Sequence, residues 1–232
     1  MHVFPAPDVP AIPVVGVDAG EYPIRRIFCV GRNYVAHAEE MGYEVDREKP
    51  FYFSKSAFHA QMTGGVLPYP QGTENFHFEM ELAIAMGAEA FHISAEDAPR
   101  AIYGFCCALD MTRRDLQLSE RNKKRPWTLG KDVEGSAVFS PIALASQWGV
   151  EGKRIWLTQN GEPAQASTLD LMVWKVPEIV AHLSSFYRLG PGDLILTGTP
   201  EGVGPVKPGD VLEGGIDGLE GISLTIAEPD AQ

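Results

Sequence analysis

The stretch FHFEMELAIAMG, residues 76–87, alternates strictly between two kinds of side chain. Phe76, Phe78, Met80, Leu82, Ile84 and Met86 fall on one side of an extended chain, because successive side chains of a strand point in opposite directions. His77, Glu79, Glu81, Ala83, Ala85 and Gly87 fall on the other. Glutamate is depleted in strands, so two of them on a face that continues Ala, Ala, Gly need a cause. A half-exposed strand with its polar side in water is the ordinary alternative. The small apolar remainder of the face argues instead for something packed closely over it. Glutamates at i and i+2 have Cα atoms roughly 6.5 Å apart, so their carboxylates can converge. Converging anions raise each other's pKa or hold a cation. A hard divalent ion with oxygen ligands, Mg²⁺ or Ca²⁺ in type, resolves the conflict and calls for a third ligand.

Asp110 is the candidate. The run YGFCCALD, residues 103–110, is apolar until a carboxylate closes it, and aspartate is rarely buried without a partner. A turn-capping Asp is the alternative. In GRNYVAHAEEMG, residues 31–42, His37 and Glu40 stand at i and i+3, on one helix face. A histidine oriented by a carboxylate suits the removal of a proton from water, whereas a plain surface ion pair would do nothing chemical. Lys131, in WTLGKDVE, sits in an apolar setting. The alternative there is a solvated lysine at a strand end.

Outward from these residues, short strands punctuated by Gly and Pro predict a mainly β, α+β fold. The strands include residues 24–31, 51–55 and 66–70, and RIWLTQNG, whose Asn160-Gly161 signals a hairpin. Helices are expected at 33–42 with Asn33 as N-cap and Gly42 at the end, and at 94–102 behind Ser94. A third, at 176–187, has Val176, Ile179, Val180, Leu183, Phe186 and Tyr187 in helical period. Residues 44–50 read as a polar loop and 119–127 as a basic, Pro-terminated loop. With 232 residues, 44% of them hydrophobic, the chain has material for one domain. The expected division is a Pro-rich lead-in at 1–23 and a single catalytic domain at 24–232.

A net charge of −12 argues against nucleic acid or an anionic membrane as main partner. No apolar run reaches the length of a membrane span, and the N-terminus lacks the basic and apolar regions of a signal peptide. Cys29, Cys106 and Cys107, two of them adjacent, do not suggest disulfides and fit a reducing cytoplasm. There is no fixed-period repeat, dinucleotide fingerprint or phosphate loop.

Five segments then carry a family resemblance: VGRNYVAHAEEMG, FEMELAIAMG, YGFCCALDMTRRDLQ, RPWTLGKDVEGSA and GDLILTGTPEGVGPVKPGD. In order and content they resemble the motifs of the fumarylacetoacetate hydrolase family, across residues 24–227. YPIRRIFCVGRNY and MTRRD lean toward its bacterial members that cleave fumarylpyruvate. The resemblance implies a mixed β-sandwich roll, a homodimer, and Mg²⁺ or Mn²⁺ bound by Glu79, Glu81 and Asp110. It makes His37 and Glu40 the water-activating pair and Lys131 the substrate lysine, with Arg114, Gln117 and Thr199 touching substrate.

The implied reaction is hydrolysis of an acylpyruvate, 3-fumarylpyruvate and water giving fumarate and pyruvate. Backbone N–H groups of Gly198 and Thr199 are candidate oxyanion donors. Arg32, Arg114 and the stretch Arg121, Lys123, Lys124, Arg125 are candidates for the distal carboxylate, against the plainer reading of 121–125 as a solvated loop. One departure is Lys55-Ser56, where the family commonly has Lys-Pro; the loop that follows is expected to shape the pocket mouth and leave the ligands untouched. A general acylpyruvase, or an oxaloacetate decarboxylase or isomerase on the same site, is the nearest rival reading. A non-catalytic metal-binding domain is a rival of another class. A glycosidase does not fit, since its two carboxylates must flank the scissile bond and Glu79 and Glu81 share one strand face.

Overall fold

In the computed structural model, which describes residues 2–42 and 48–230, the 76–87 stretch forms two strands, Phe76–Phe78 and Met80–Met86, with a break at Glu79. Most of the expected polar loop, residues 44–47, lies outside the described residues. Met80–Met86 runs through the middle of an eight-stranded sheet, antiparallel to both Ile102–Asp110 and Asp193–Leu196. Asp193–Leu196 pairs in parallel with Arg26–Gly31, whose outer side takes the edge strand Phe51–Lys55. On the other flank, Ile102–Asp110 pairs with Ala137–Phe139. Phe76–Phe78 leaves this sheet to pair with Thr112–Arg113 and Gly204–Val206.

The alternation holds, and both sides are buried. The Phe and Met side joins a core with Ile155, Leu157, Leu212 and Leu224 of a five-stranded sheet, and with Ile179, Val180 and Leu183 of the helix Val176–Ser184. Each of these large side chains contributes roughly 1.5–3 kcal/mol by leaving water. On the other side, Ala83 and Ala85 meet Ile12, Tyr22, Cys106, Ala108, Leu194 and Leu196. The small residues answer a close cover. A Cβ on Gly87 would stand 2.8 Å from that of Tyr103.

That cover comes from within the Pro-rich lead-in. Ala11–Pro13 and Glu21–Pro23 pair as antiparallel strands, and Ile12, Val14 and Tyr22 are buried against the sheet. The Tyr22 hydroxyl lies 2.8 Å from Met86 O and 2.9 Å from Asp193 O, and accepts the Gly192 N–H at 2.9 Å. The second half of the lead-in is therefore part of the packed structure.

Other local expectations divide. The hairpin at Asn160-Gly161 forms, with φ of +56° and +82° as a two-residue turn of this kind requires. The first helix is Val35–Glu40 and ends at Gly42, φ +70°, but Asn33 does not cap it. Its buried amide donates to Trp174 O and Thr197 O, and accepts from the Trp174 N–H, so it ties three segments together. The helix behind Ser94 shortens to a 3₁₀ turn, Ala98–Ala101. The basic loop is shorter than expected, because Arg114–Asn122 is helical and Thr128–Lys131 forms another turn. Phe186 and Tyr187 lie past the end of their helix and are exposed. Among the described residues no helix is long and apolar enough to cross a membrane.

Candidate active site

The break at Glu79 and the end of the Ile102–Asp110 strand meet, the Asp110 N–H donating to Glu79 O at 2.9 Å. Glu81 enters the ladder opposite Ala108, two residues before Asp110. Side chains two apart share a strand face, so all three carboxylates point to one place. One oxygen from each of Glu79, Glu81 and Asp110 lies within 4.8 Å of the others, and all three residues are buried.

Three cations answer them, unevenly. Lys131 Nζ donates to Glu79 Oε2 at 2.7 Å, Asp110 Oδ2 at 2.6 Å and Thr112 Oγ1 at 2.8 Å. Arg114 donates to Glu79 Oε1 and, at 2.5 Å, to Gln117 Oε1. Lys55 Nζ stands 2.9 Å from Asp110 Oδ1 and also donates to Met111 O, Lys131 O and Ser136 Oγ. Glu81 has the Gly198 N–H, at 2.6 Å, in place of a cation. Burial works against the Glu79 anion, but Lys131 and Arg114 outweigh it and hold this carboxyl well below the usual range. Burial, with the charges of Asp110 and Glu79, pushes Glu81 well above it. A buried carboxylate driven toward protonation by two neighbouring anions is what a shared hard cation relieves, and the all-oxygen donor set suits Mg²⁺ or Mn²⁺. The residues fit such an ion.

Lys55 corrects the expectation for the departure at 55–56. The loop begins with a lysine that touches a candidate ligand directly, and Ser56 N–H continues to Asp132 Oδ1 at 2.8 Å. A lysine closing an aromatic strand, FYFSK, is the same signal as an aspartate closing YGFCCALD, so it was available in the sequence. Gln165, which accepts the Met80 N–H and donates to Thr199 Oγ1 and Pro200 O, gave no such signal.

Arg32, His37, Glu79, Glu81, Arg114, Gln117, Lys131, Gly198 and Thr199 line one pocket of about 20 Å³, whereas Glu40, Asp110 and the stretch Arg121, Lys123, Lys124, Arg125 do not. That is room for about one water, because Lys131 and Arg114 lean across it onto Glu79. His37 is buried, and that burial lowers its pKa, with the Arg114 and Lys131 charges adding to the effect against Glu79 and Glu40. The imidazole is thus neutral near neutral pH. Glu40 stands 3.5 Å from His37 Nδ1, beyond a good hydrogen bond, and accepts the Gly202 N–H at 3.1 Å. Gly198 differs from expectation: its N–H is committed to Glu81, so it positions a carboxylate rather than offering an open oxyanion site. With φ at +93° and Asn33 Cβ only 2.8 Å from where its own would be, it has to be glycine.

The C-terminal domain of fumarylacetoacetate (FAA) hydrolase matches residues 26–227. The chain belongs to the fumarylacetoacetate hydrolase family. Among relatives, the fumarylpyruvate hydrolase of a Ralstonia species is 48% identical over 188 residues, which cover 80% of this chain and 98% of that protein. A mitochondrial oxaloacetate tautomerase of Arabidopsis thaliana is 38% identical over 205 residues, 87% of this chain and 90% of its own length. The crystal structure of fumarylpyruvate hydrolase from Pseudomonas aeruginosa, in complex with Mn²⁺ and pyruvate, superposes with a TM-score of 0.94 at 42% identity. It covers 98% of this chain and all of that one. The mainly β architecture expected from the strand pattern is therefore that of the family.

Proposed function

We propose that this chain is a divalent-metal-dependent hydrolase of the acylpyruvate C–C bond, acting on 3-fumarylpyruvate to give fumarate and pyruvate. The observation that carries the reading is one pocket that combines a buried carboxylate cluster, a buried neutral histidine and a lysine bonded to two of the carboxylates. Glu79, Glu81 and Asp110 would hold Mg²⁺ or Mn²⁺. When bound, that ion supplies Lewis-acid stabilisation of the negative charge that develops on the α-keto acid end of the substrate.

The remaining work falls to side chains of this chain. His37, kept neutral by burial, takes a proton from the water whose oxygen attacks the acyl carbon. Glu40 steadies the helix from which His37 projects, through the Gly202 N–H. The bond between the acyl carbon and the pyruvyl methylene breaks, its electron pair leaving as the enolate of pyruvate. Lys131 offers positive charge to that enolate, and a proton then completes the methyl group. Arg114 and Gln117 brace Glu79 from the second side, and Thr199 contributes its hydroxyl to the wall. The reading includes a homodimer in the cytoplasm, supported by the family resemblance and by three buried free thiols.

A second reading, oxaloacetate tautomerisation or decarboxylation, is favoured by the relative at 38% identity. Decarboxylation has no need of an activated water and so leaves His37 unexplained. The test is to follow loss of the enol absorbance of fumarylpyruvate, acetylpyruvate and oxaloacetate with Mn²⁺, identifying products. Fumarate and pyruvate in equal amounts support hydrolysis. A decisive preference for oxaloacetate, with or without release of carbon dioxide, would overturn it.

A further inference from the structure

Beside the pocket lies a larger cavity of about 380 Å³, between the edge strand Phe51–Lys55 and the segment at 121–128. The two share a wall, since Arg32, Phe53, Trp127 and Lys131 line both. That wall is aromatic. The Trp127 ring lies 4.9 Å from Phe51 and 5.7 Å from Phe53, with Lys131 Nζ 4.9 Å from the Phe53 ring. The Arg32 guanidinium stands 5.8 Å from both the Phe51 and Trp127 rings.

In a chain of net charge −12, the described lining includes Arg32, Arg121, Lys124, Arg125 and Lys131, and no carboxylate. The backbone turns sharply to present them, with Lys124 in the left-handed region at φ +56°, a conformation disfavoured for a residue with a Cβ. The Arg125 N–H donates to Glu120 O at 2.9 Å, and its guanidinium forms only a long ion pair, 3.9 Å, with the Glu120 carboxylate. Arg114, expected to share in reading a distal carboxylate, is buried on Glu79 and Gln117 and does not line this cavity.

We infer that this cavity is the subsite for the distal carboxylate of a planar, conjugated acyl group, which lies along the Phe53–Trp127 wall and ends on Lys124 and Arg125. The inference rests on the acylpyruvate reading and adds the residues that select the acyl group. Aromatic faces pack a flat ene-carboxylate better than a branched chain, and clustered cations in a recess favour a dianion over a neutral group.

The experiment compares kcat/KM for fumarylpyruvate and for acetylpyruvate, which lacks the distal carboxylate, in Mn²⁺-loaded wild type, in Lys124→Gln/Arg125→Gln, and in Arg125→Lys. The expected fumarylpyruvate-to-acetylpyruvate ratio falls about 10- to 100-fold in the double variant, the factor for losing a charge-assisted hydrogen bond. Arg125→Lys keeps most of it, and the fall appears in KM more than in kcat. An unchanged ratio overturns the inference. A second arm measures the binding of fumarate alone to the same proteins by calorimetry. If wild type cleaves neither diketo acid, the hydrolase reading fails. Fumarate binding lost in the double variant would then still establish the subsite, and equal binding in both proteins would remove it.

Discussion

Glu79, Glu81 and Asp110 stand on or between paired strands of the large sheet and are 4%, 1% and 0% exposed, whereas His37 and Glu40 stand on a six-residue helix with no side-chain cap and Glu40 is largely at the surface. The carboxylates inherit their positions from ladders that run through both cores. The helix depends on the buried Tyr34 and Ala38 beneath it and on the Glu40–Gly202 contact. Local stability follows such differences in packing. On the proposed reading, ion binding belongs to the rigid part of the fold and water activation to the softer part, so the two functions should separate by mutation.

The largest effect is expected from the rigid side. Glu81→Ala should lower metal-dependent hydrolysis by ~10⁴-fold or more, since several kcal/mol of charge stabilisation depend on the ion. The fold should survive, because burial and the Asp110 and Glu79 charges already push the Glu81 carboxyl toward protonation, and its removal costs one hydrogen bond. Full activity after chelation and Mn²⁺ replacement would break the separation at its source.

His37→Ala should cost about 10²–10⁴-fold in hydrolysis with one Mn²⁺ still bound, as read by calorimetry. Loss of Mn²⁺ binding in that variant would merge the two regions. The sign of the pH dependence follows from the same residue. Burial lowers the His37 pKa, the base works as neutral imidazole, and kcat/KM should hold down past the ordinary value of about 6.5 before falling as the ring protonates. A fall that begins above that value would point to another base.

Lys55→Met sharpens the comparison through stability. The substitution leaves Asp110 short of a buried cation and removes the donor to Met111 O and Ser136 Oγ. A loss of about 3–5 kcal/mol in denaturant unfolding is expected, and less than about 1 kcal/mol would deny Lys55 a structural part. The smallest effect should come from Glu40→Gln. Its contact with His37 is long and half exposed, worth about 0.2–1 kcal/mol, so hydrolysis should drop no more than about fivefold. The acid limb should move slightly lower, since Glu40 raises the His37 pKa.

The rigid part was also the legible part. Strict alternation over residues 76–87 placed Glu79 and Glu81 on the Ala face, and the apolar run before Asp110 placed the third carboxylate at a strand end. Period and burial act locally there, so the sequence carries them. What escaped depends on contacts across the chain. Asn33 has the composition of a helix cap, yet its amide is claimed by Trp174 and Thr197, more than 140 residues away. The end of the helix Arg114–Asn122 reads as the start of a basic loop at 119, because the helix's buried face is made of Arg114 and Gln117 rather than apolar residues. Gly198 reads as a candidate oxyanion donor, and its N–H is fixed by a glutamate that only the fold brings near. Residues 11–23 read as a lead-in because their proline content hides two short strands.

The most direct test of the separation between a carboxylate-held ion and a histidine-activated water is a chelation and restoration experiment on fumarylpyruvate cleavage. Wild-type protein is stripped of metal, assayed, and titrated with Mn²⁺ while fumarate and pyruvate are counted. The expected result is no cleavage in the stripped protein and full recovery at one Mn²⁺ per chain, with His37→Ala binding the same single ion and recovering nothing. Cleavage that persists undiminished in the stripped protein would contradict it.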